Sequence, residues 1–174
     1  MSEYEENFIT TYTGRQFHYL EPVVDEIDIV DIAHSLSLKC RFAGHCRVFY
    51  SVAEHSIRVA KILPDELKLS GLLHDAAEAY LPDIARPQKI KFGIKILEDK
   101  IMEVIYTKYG TISSPNIKEA DDILLATEAR DLMKNTDGWR KIPKPLPDTI
   151  HPLDWEAAKL RFLTAYYLLR NKAK

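Results

Sequence analysis

The stretch that most constrains this chain is Leu72 to Asp83, LLHDAAEAYLPD. An apolar run here offers an imidazole and a carboxylate side by side, His74 and Asp75, with Glu78 one turn on and Asp83 just past the end. Burying such groups without partners costs on the order of several kcal/mol each, so packing alone does not justify them. The pair reads as part of a metal site.

The rest of the chain supplies helices to surround it. Asp28 is placed to cap a helix to about Lys39, with Ile29, Ile32, Ala33 and Leu36 on one face. Arg41 to Phe49 follows as a loop rich in arginine and aromatics. Ser51-Val52-Ala53-Glu54 has the form of a capping box, and on the helix it opens, Val52, His55, Val59 and Ile62 share the inward stripe. Pro64 suits the first turn of the next helix, running to about Tyr80. On it Leu67, Ser70, Gly71, His74, Ala77 and Glu78 share a face whose small residues let a neighbouring helix come close.

Pro82 and Pro87 bracket an irregular link. An amphipathic helix is expected over 94–109, and another from the Ser114 cap and Pro115 to about Met133. The second turns Asp121 inward with Ile117, Leu124, Leu125 and Glu128, and leaves Asp122 near Lys118 and Glu119. Residues 135–153 hold four of the nine prolines and read as a surface loop, a lid or a subunit contact. Asp154 caps a last helix to about Arg170, with Trp155, Leu160, Leu163 and Tyr167 available for packing. The sum is five to seven helices without a convincing strand, preceded by an ordered arm over residues 1–25.

At 174 residues and 46% hydrophobic, the chain suits one all-α domain over 1–174. Twenty-four basic against 26 acidic residues leave a net charge of −2 and no pull toward polymeric nucleic acid or an anionic membrane. No stretch has the length of a membrane helix, and the two cysteines, Cys40 and Cys46, build no disulfide framework, so a cytoplasmic location is expected.

Three helices thus present His55, the His74-Asp75 pair and Asp121 on apolar faces. A shared divalent cation explains all four, and two imidazoles with two carboxylates leave coordination positions open for water and substrate. Mixed nitrogen and oxygen ligation suits Mn, Fe, Co, Ni or Zn without choosing among them. Glu78 lies within reach to orient or deprotonate water, and Asp83 could contact a substrate hydroxyl, receive a proton or hold a second divalent ion with Glu78. His34 reads as structural. His45 has two readings, a loop hydrogen-bond donor or a site group.

The pieces Glu54-His55-Ser56, Leu73-His74-Asp75-Ala76, Glu78, Pro82-Asp83 and Ala120-Asp121 resemble the signature of HD-domain metal-dependent phosphohydrolases, compact helical bundles, over residues 27–135. With Arg41-Phe42, the pattern is similar to that of the single-domain 5′-deoxynucleotidases. The segments IAHSLSLKCRFAGH and ATEARDL resemble a phage-encoded branch that includes a dATP triphosphohydrolase, for which the compartment is the host cytoplasm. The resemblance implies His55, His74, Asp75 and Asp121 as metal ligands, Glu78 and Asp83 as catalytic groups, and Arg41 as a phosphate binder. Phe42 stands where the nucleotidases carry a tryptophan, and Arg86 and Lys89 are candidate helpers for the phosphate. It further implies a small-molecule nucleotide substrate and a homo-oligomer, with residues 136–174 as a loop and packing helix.

The expected reaction is hydrolysis of a deoxynucleoside monophosphate to deoxynucleoside and phosphate. The alternative is release of triphosphate from a deoxynucleoside triphosphate, since the motif serves both. Phosphodiesterase action on cyclic or signalling nucleotides and a non-catalytic nucleotide-binding regulator are the remaining alternatives.

Overall fold

The computed structural model describes residues 7–82, 84 and 86–172. The expectation for Asp83 lies outside these residues, and so does the side chain of Arg86. The architecture is all-α. Among the described residues seven helices follow in order: α1 (Ile29–Leu38), α2 (Val52–Ile62), α3 (Lys68–Leu72), α4 (Arg86–Lys91), α5 (Ile94–Tyr109), α6 (Pro115–Leu132) and α7 (Trp155–Lys172).

The helix starts are set by caps. The carboxylate of Asp28 accepts from Val30 N, the Ser51 hydroxyl from Glu54 N, the Ser114 hydroxyl from Asn116 N and the Asp154 carboxylate from Ala157 N. Each satisfies a backbone donor that the helix itself leaves open, a contribution of about 1 kcal/mol. The Ser51 box forms only by half. The Glu54 carboxylate binds the Arg58 guanidinium at 2.7 Å and accepts from Leu153 N at 2.8 Å. It thereby ties the C-terminal segment to α2.

The helix expected from Pro64 to Tyr80 is broken. It runs as a 3-10 turn over Asp65–Leu67, the short α3, and a second 3-10 turn over Ala76–Ala79, with Leu73 and Asp75 near φ −102°, ψ 7° and φ −106°, ψ 16°. His74 Nδ1 donates to Gly71 O at 2.8 Å, the carbonyl that an unbroken helix would offer to Asp75 N.

α2 and α3 meet at Gly71, where a Cβ would lie 2.2 Å from Leu63 Cδ1 and 3.4 Å from the Ala60 Cα. The main core gathers Ile32, Leu36, Ala53, Leu72, Leu73, Ile101, Ile105 and Phe162 from α1, α2, α3, α5 and α7. A second cluster joins α2 to α6 through Tyr50, Val59, Leu63, Ile117, Leu124, Leu132 and Ile150. On α7 the inward residues are Ala158, Phe162 and Tyr166, whereas Leu160 and Tyr167 face solvent. The arm, where the stretch TTYTGRQFHYLEP suggests turns or a short extended segment, holds a two-stranded antiparallel ribbon, β1 (Ile9–Thr10) and β2 (Gln16–Phe17), which buries Phe17.

The 135–153 segment is irregular, as its prolines require, and it is pinned down. Arg130 donates to Leu146 O and Asp148 O at 2.7 and 2.8 Å, and Ile150 is buried. No helix among the described residues is long and apolar enough to cross a membrane.

Candidate metal centre

The break between α3 and the second 3-10 turn puts His74 and Asp75 on the same side of the chain. On a regular helix they would diverge by about 100°. Here His74 Nε2 lies 3.3 Å from Asp75 Oδ2. α2 brings His55, fully buried, to the same point: its Nε2 is 3.3 Å from His74 Nε2 and 3.6 Å from Asp75 Oδ2. α6 adds Asp121, whose Oδ1 is 3.4 Å from His55 Nε2 and whose other oxygen meets Lys118 at 3.3 Å. His55, His74 and Asp75 form a group that could hold a metal ion.

The orientation of the rings follows from their other nitrogens. His55 Nδ1 meets Glu128 Oε1 at 2.7 Å and His74 Nδ1 meets Gly71 O at 2.8 Å. A carboxylate and a carbonyl only accept, so both Nδ1 atoms carry hydrogen and both Nε2 atoms are turned to the shared centre. Ligands around an ion at about 2.1 Å are separated by roughly 3.0–3.5 Å, so separations of this size fit a cation among these atoms.

The electrostatics agree with that arrangement. Burial and Arg41 work against a charge on His55, yet Glu128 and Asp121 hold its pKa up at about 9. Burial opposes the charge on His74 as well, and Asp75 raises it. Asp75 and Asp121, despite burial, stay well below the usual carboxylate range because the two imidazoles face them.

Arg41 enters from the loop before α2. Its Nη2 binds Glu128 Oε2 at 3.1 Å and its Nη1 lies 3.7 Å from Asp75 Oδ2. Arg41 N donates to Tyr50 O, and Arg47 N donates to Leu132 O, so the loop is closed at its base and anchored to the end of α6. At its tip Phe42 and Ala43 have φ of 56° and 51°, a left-handed pair without glycine that costs on the order of 1–2 kcal/mol per residue. The Arg41 guanidinium lies 5.3 Å from the Phe42 ring centroid, and that ring is 6.0 Å from Trp139.

Glu78, three residues after Asp75, is buried, and Lys89 Nζ lies 2.5 Å from its Oε1 and 3.0 Å from Glu98 Oε2. Lys89 is therefore engaged by two carboxylates. His34 stacks on Tyr12 at 3.7 Å, away from the centre, in keeping with a packing role. His45 ends the loop's 3-10 turn. Cys40 and Cys46 are free thiols, 3.4 Å apart.

The residue that sequence reasoning left without a role is Glu128. It shares the inward face of α6 with Asp121, and that periodicity was its one signal. Its contacts to His55 and Arg41 come from other helices and loops.

The molecule is thus a helical protein with a His/Asp group, buried at His55 and half-buried at His74 and Asp75, that could hold a metal ion. It belongs to the same family as the uncharacterized protein YfdR of Escherichia coli (strain K12), with 43% identity over 146 residues, 82% of each chain. The uncharacterized protein RCAP_rcc00048 of Rhodobacter capsulatus is 32% identical over 137 residues, 69% of this chain and 70% of the relative. No family model matches the chain.

Proposed function

We propose that this protein is a divalent-metal-dependent phosphohydrolase of the HD-domain kind that converts deoxynucleoside 5′-monophosphates to deoxynucleosides and phosphate in the cytoplasm. The observation that carries the reading is the convergence of His55 Nε2 and His74 Nε2, each fixed by its Nδ1 contact, with Asp75 and Asp121. These four residues would hold the ion. When bound, a divalent cation polarises a phosphoryl oxygen and acidifies water.

The chain's own groups do the rest. Arg41 turns one arm of its guanidinium toward the phosphate, a planar two-pronged donor suited to that anion. Glu78, one turn after the His74-Asp75 pair, is the group we assign to accept the proton of the attacking water, with Lys89 holding the carboxylate in place. Phe42 and Trp139 form the apolar edge on which the base rests. The choice of a monophosphate rests on charge. A triphosphate tail calls for several cations, and two candidate lysines, Lys89 and Lys118, are already held by Glu78, Glu98, Asp121 and Asp122.

The test is incubation of the metal-loaded protein with the four deoxynucleoside monophosphates and the four triphosphates, with chromatographic separation of the products. Deoxynucleoside with orthophosphate from monophosphates alone is the expected result. Deoxynucleoside with triphosphate would replace the reading by a triphosphohydrolase. No product with several divalent metals would sink both.

A further inference from the structure

Glu128 is fully buried on α6, two turns beyond Asp121, and each of its oxygens serves a different donor. Oε1 accepts from His55 Nδ1 at 2.7 Å, and Oε2 accepts from Arg41 Nη2 at 3.1 Å. A buried carboxylate is costly unless fully bonded, and this one draws these two partners from the candidate centre. The donor on one side is a ring whose far nitrogen faces Asp75 and Asp121. The donor on the other is a guanidinium whose second arm, Nη1, lies 3.7 Å from Asp75 Oδ2.

We infer that Glu128 is a positioning residue that joins the metal group to the phosphate-binding arginine. This rests on the reading of the centre given above. Through Oε1 it holds the His55 ring with Nε2 toward the ion, as carboxylates behind ligating histidines do. Through Oε2 it fixes one arm of Arg41, so that the other arm remains at the edge of the centre. The spacing between ion and phosphate donor is then set by one rigid carboxylate. Because Asp121 and Glu128 stand on the same face of one helix, α6 delivers both a candidate ligand and the anchor of another.

The test is calorimetric titration of the metal-free full-length protein with Mn²⁺ and Co²⁺, for the wild type, Glu128→Gln and Glu128→Ala, each with and without Arg41→Ala. Circular dichroism checks folding. Glu128→Ala should weaken metal binding by about 10–100-fold whether or not Arg41 is present. Glu128→Gln, nearly isosteric, should lie between, because its amide oxygen can still accept from one donor while its NH₂ faces the other. In turnover of a deoxynucleoside monophosphate at saturating metal, Glu128→Ala should raise KM in the Arg41 protein and leave it unchanged in the Arg41→Ala background.

Folded Glu128 variants with the wild-type metal affinity would overturn the His55 half of the inference. A KM effect of equal size in both backgrounds would overturn the Arg41 half. Should Glu128→Ala fail to fold, Glu128→Gln decides both halves. A wild-type protein that binds no metal would remove the underlying reading itself, a result distinct from wild-type binding that Glu128 does not influence.

Discussion

Two groups of largely buried charge in this molecule are closed in different ways. In one, Glu78 and Glu98 share the Lys89 ammonium at 2.5 and 3.0 Å. Burial disfavours that ammonium charge, but the two carboxylates keep its pKa above the ordinary lysine value. In the other, Asp75, Asp121 and Glu128 face His55, His74 and Arg41. There part of the donor set is imidazole, whose proton can give way to a metal ion. A lysine closes its cluster permanently, whereas a histidine pair can trade its protons for a divalent cation. Of the two, the imidazole cluster is the one whose donor atoms could hold a metal ion.

The sharpest way to break this comparison is Asp75→Ala. It should lower metal affinity by more than about 100-fold, exceeding the loss usual for groups behind the ligands, as read by titration with Mn²⁺. Retained affinity would mean that the ion, if any, sits elsewhere. Lys89→Met comes next. Leaving Glu78 and Glu98 buried without their cation should destabilise the fold by about 3–5 kcal/mol in urea unfolding. Metal stoichiometry should stay at the wild-type value, and its loss would erase the distinction between the clusters.

A pH series sharpens the contrast further. His55 is held at about 9 in the folded protein against an ordinary value of 6.5. Its contribution is therefore complete below about pH 6.5 and is lost as pH rises through 9, up to about 3 kcal/mol in the metal-free protein. Saturating Mn²⁺ should suppress that loss, because the cation replaces the proton. A denaturation midpoint of the metal-free protein that stays flat from pH 6.5 to 9.5 would show that His55 is neutral there.

The smallest expected effect is that of Gly71→Ala. The added methyl meets Leu63 at the α2–α3 contact and should cost about 1–3 kcal/mol by overpacking. A midpoint equal to that of the wild type would show that Leu63 yields at no cost.

Much of this layout was legible in the sequence because local signals carried it. Asp28, Ser51, Ser114 and Asp154 cap where their side chains can reach a backbone N–H two or three residues on, and that reach is a short-range property. The inward turn of His55 and Asp121 followed from helical periodicity. The break at Leu73 to Asp75 was not legible, since LLHDAAEAY holds no glycine or proline to mark it and the interruption comes with tertiary contacts and the His74 to Gly71 bond. On α7, Leu160 and Tyr167 fit an apolar stripe as well as Phe162 and Tyr166 do, and only docking against the rest of the bundle selects one face. Glu54 left its half of the capping box because Arg58 and Leu153 N offered it stronger partners. Lys89 illustrates the same limit, for its two carboxylate partners come from a 3-10 turn and from α5.

The bond between His55 and Glu128 spans 73 residues of chain. Anything that ties these two ends together closes a long loop, and the order such a tie demands is assembled late in folding. A cation held beside it therefore acts on time more than on shape. It should retard unfolding while leaving the folding rate nearly unchanged, so that the loaded protein persists by slow escape from its native state.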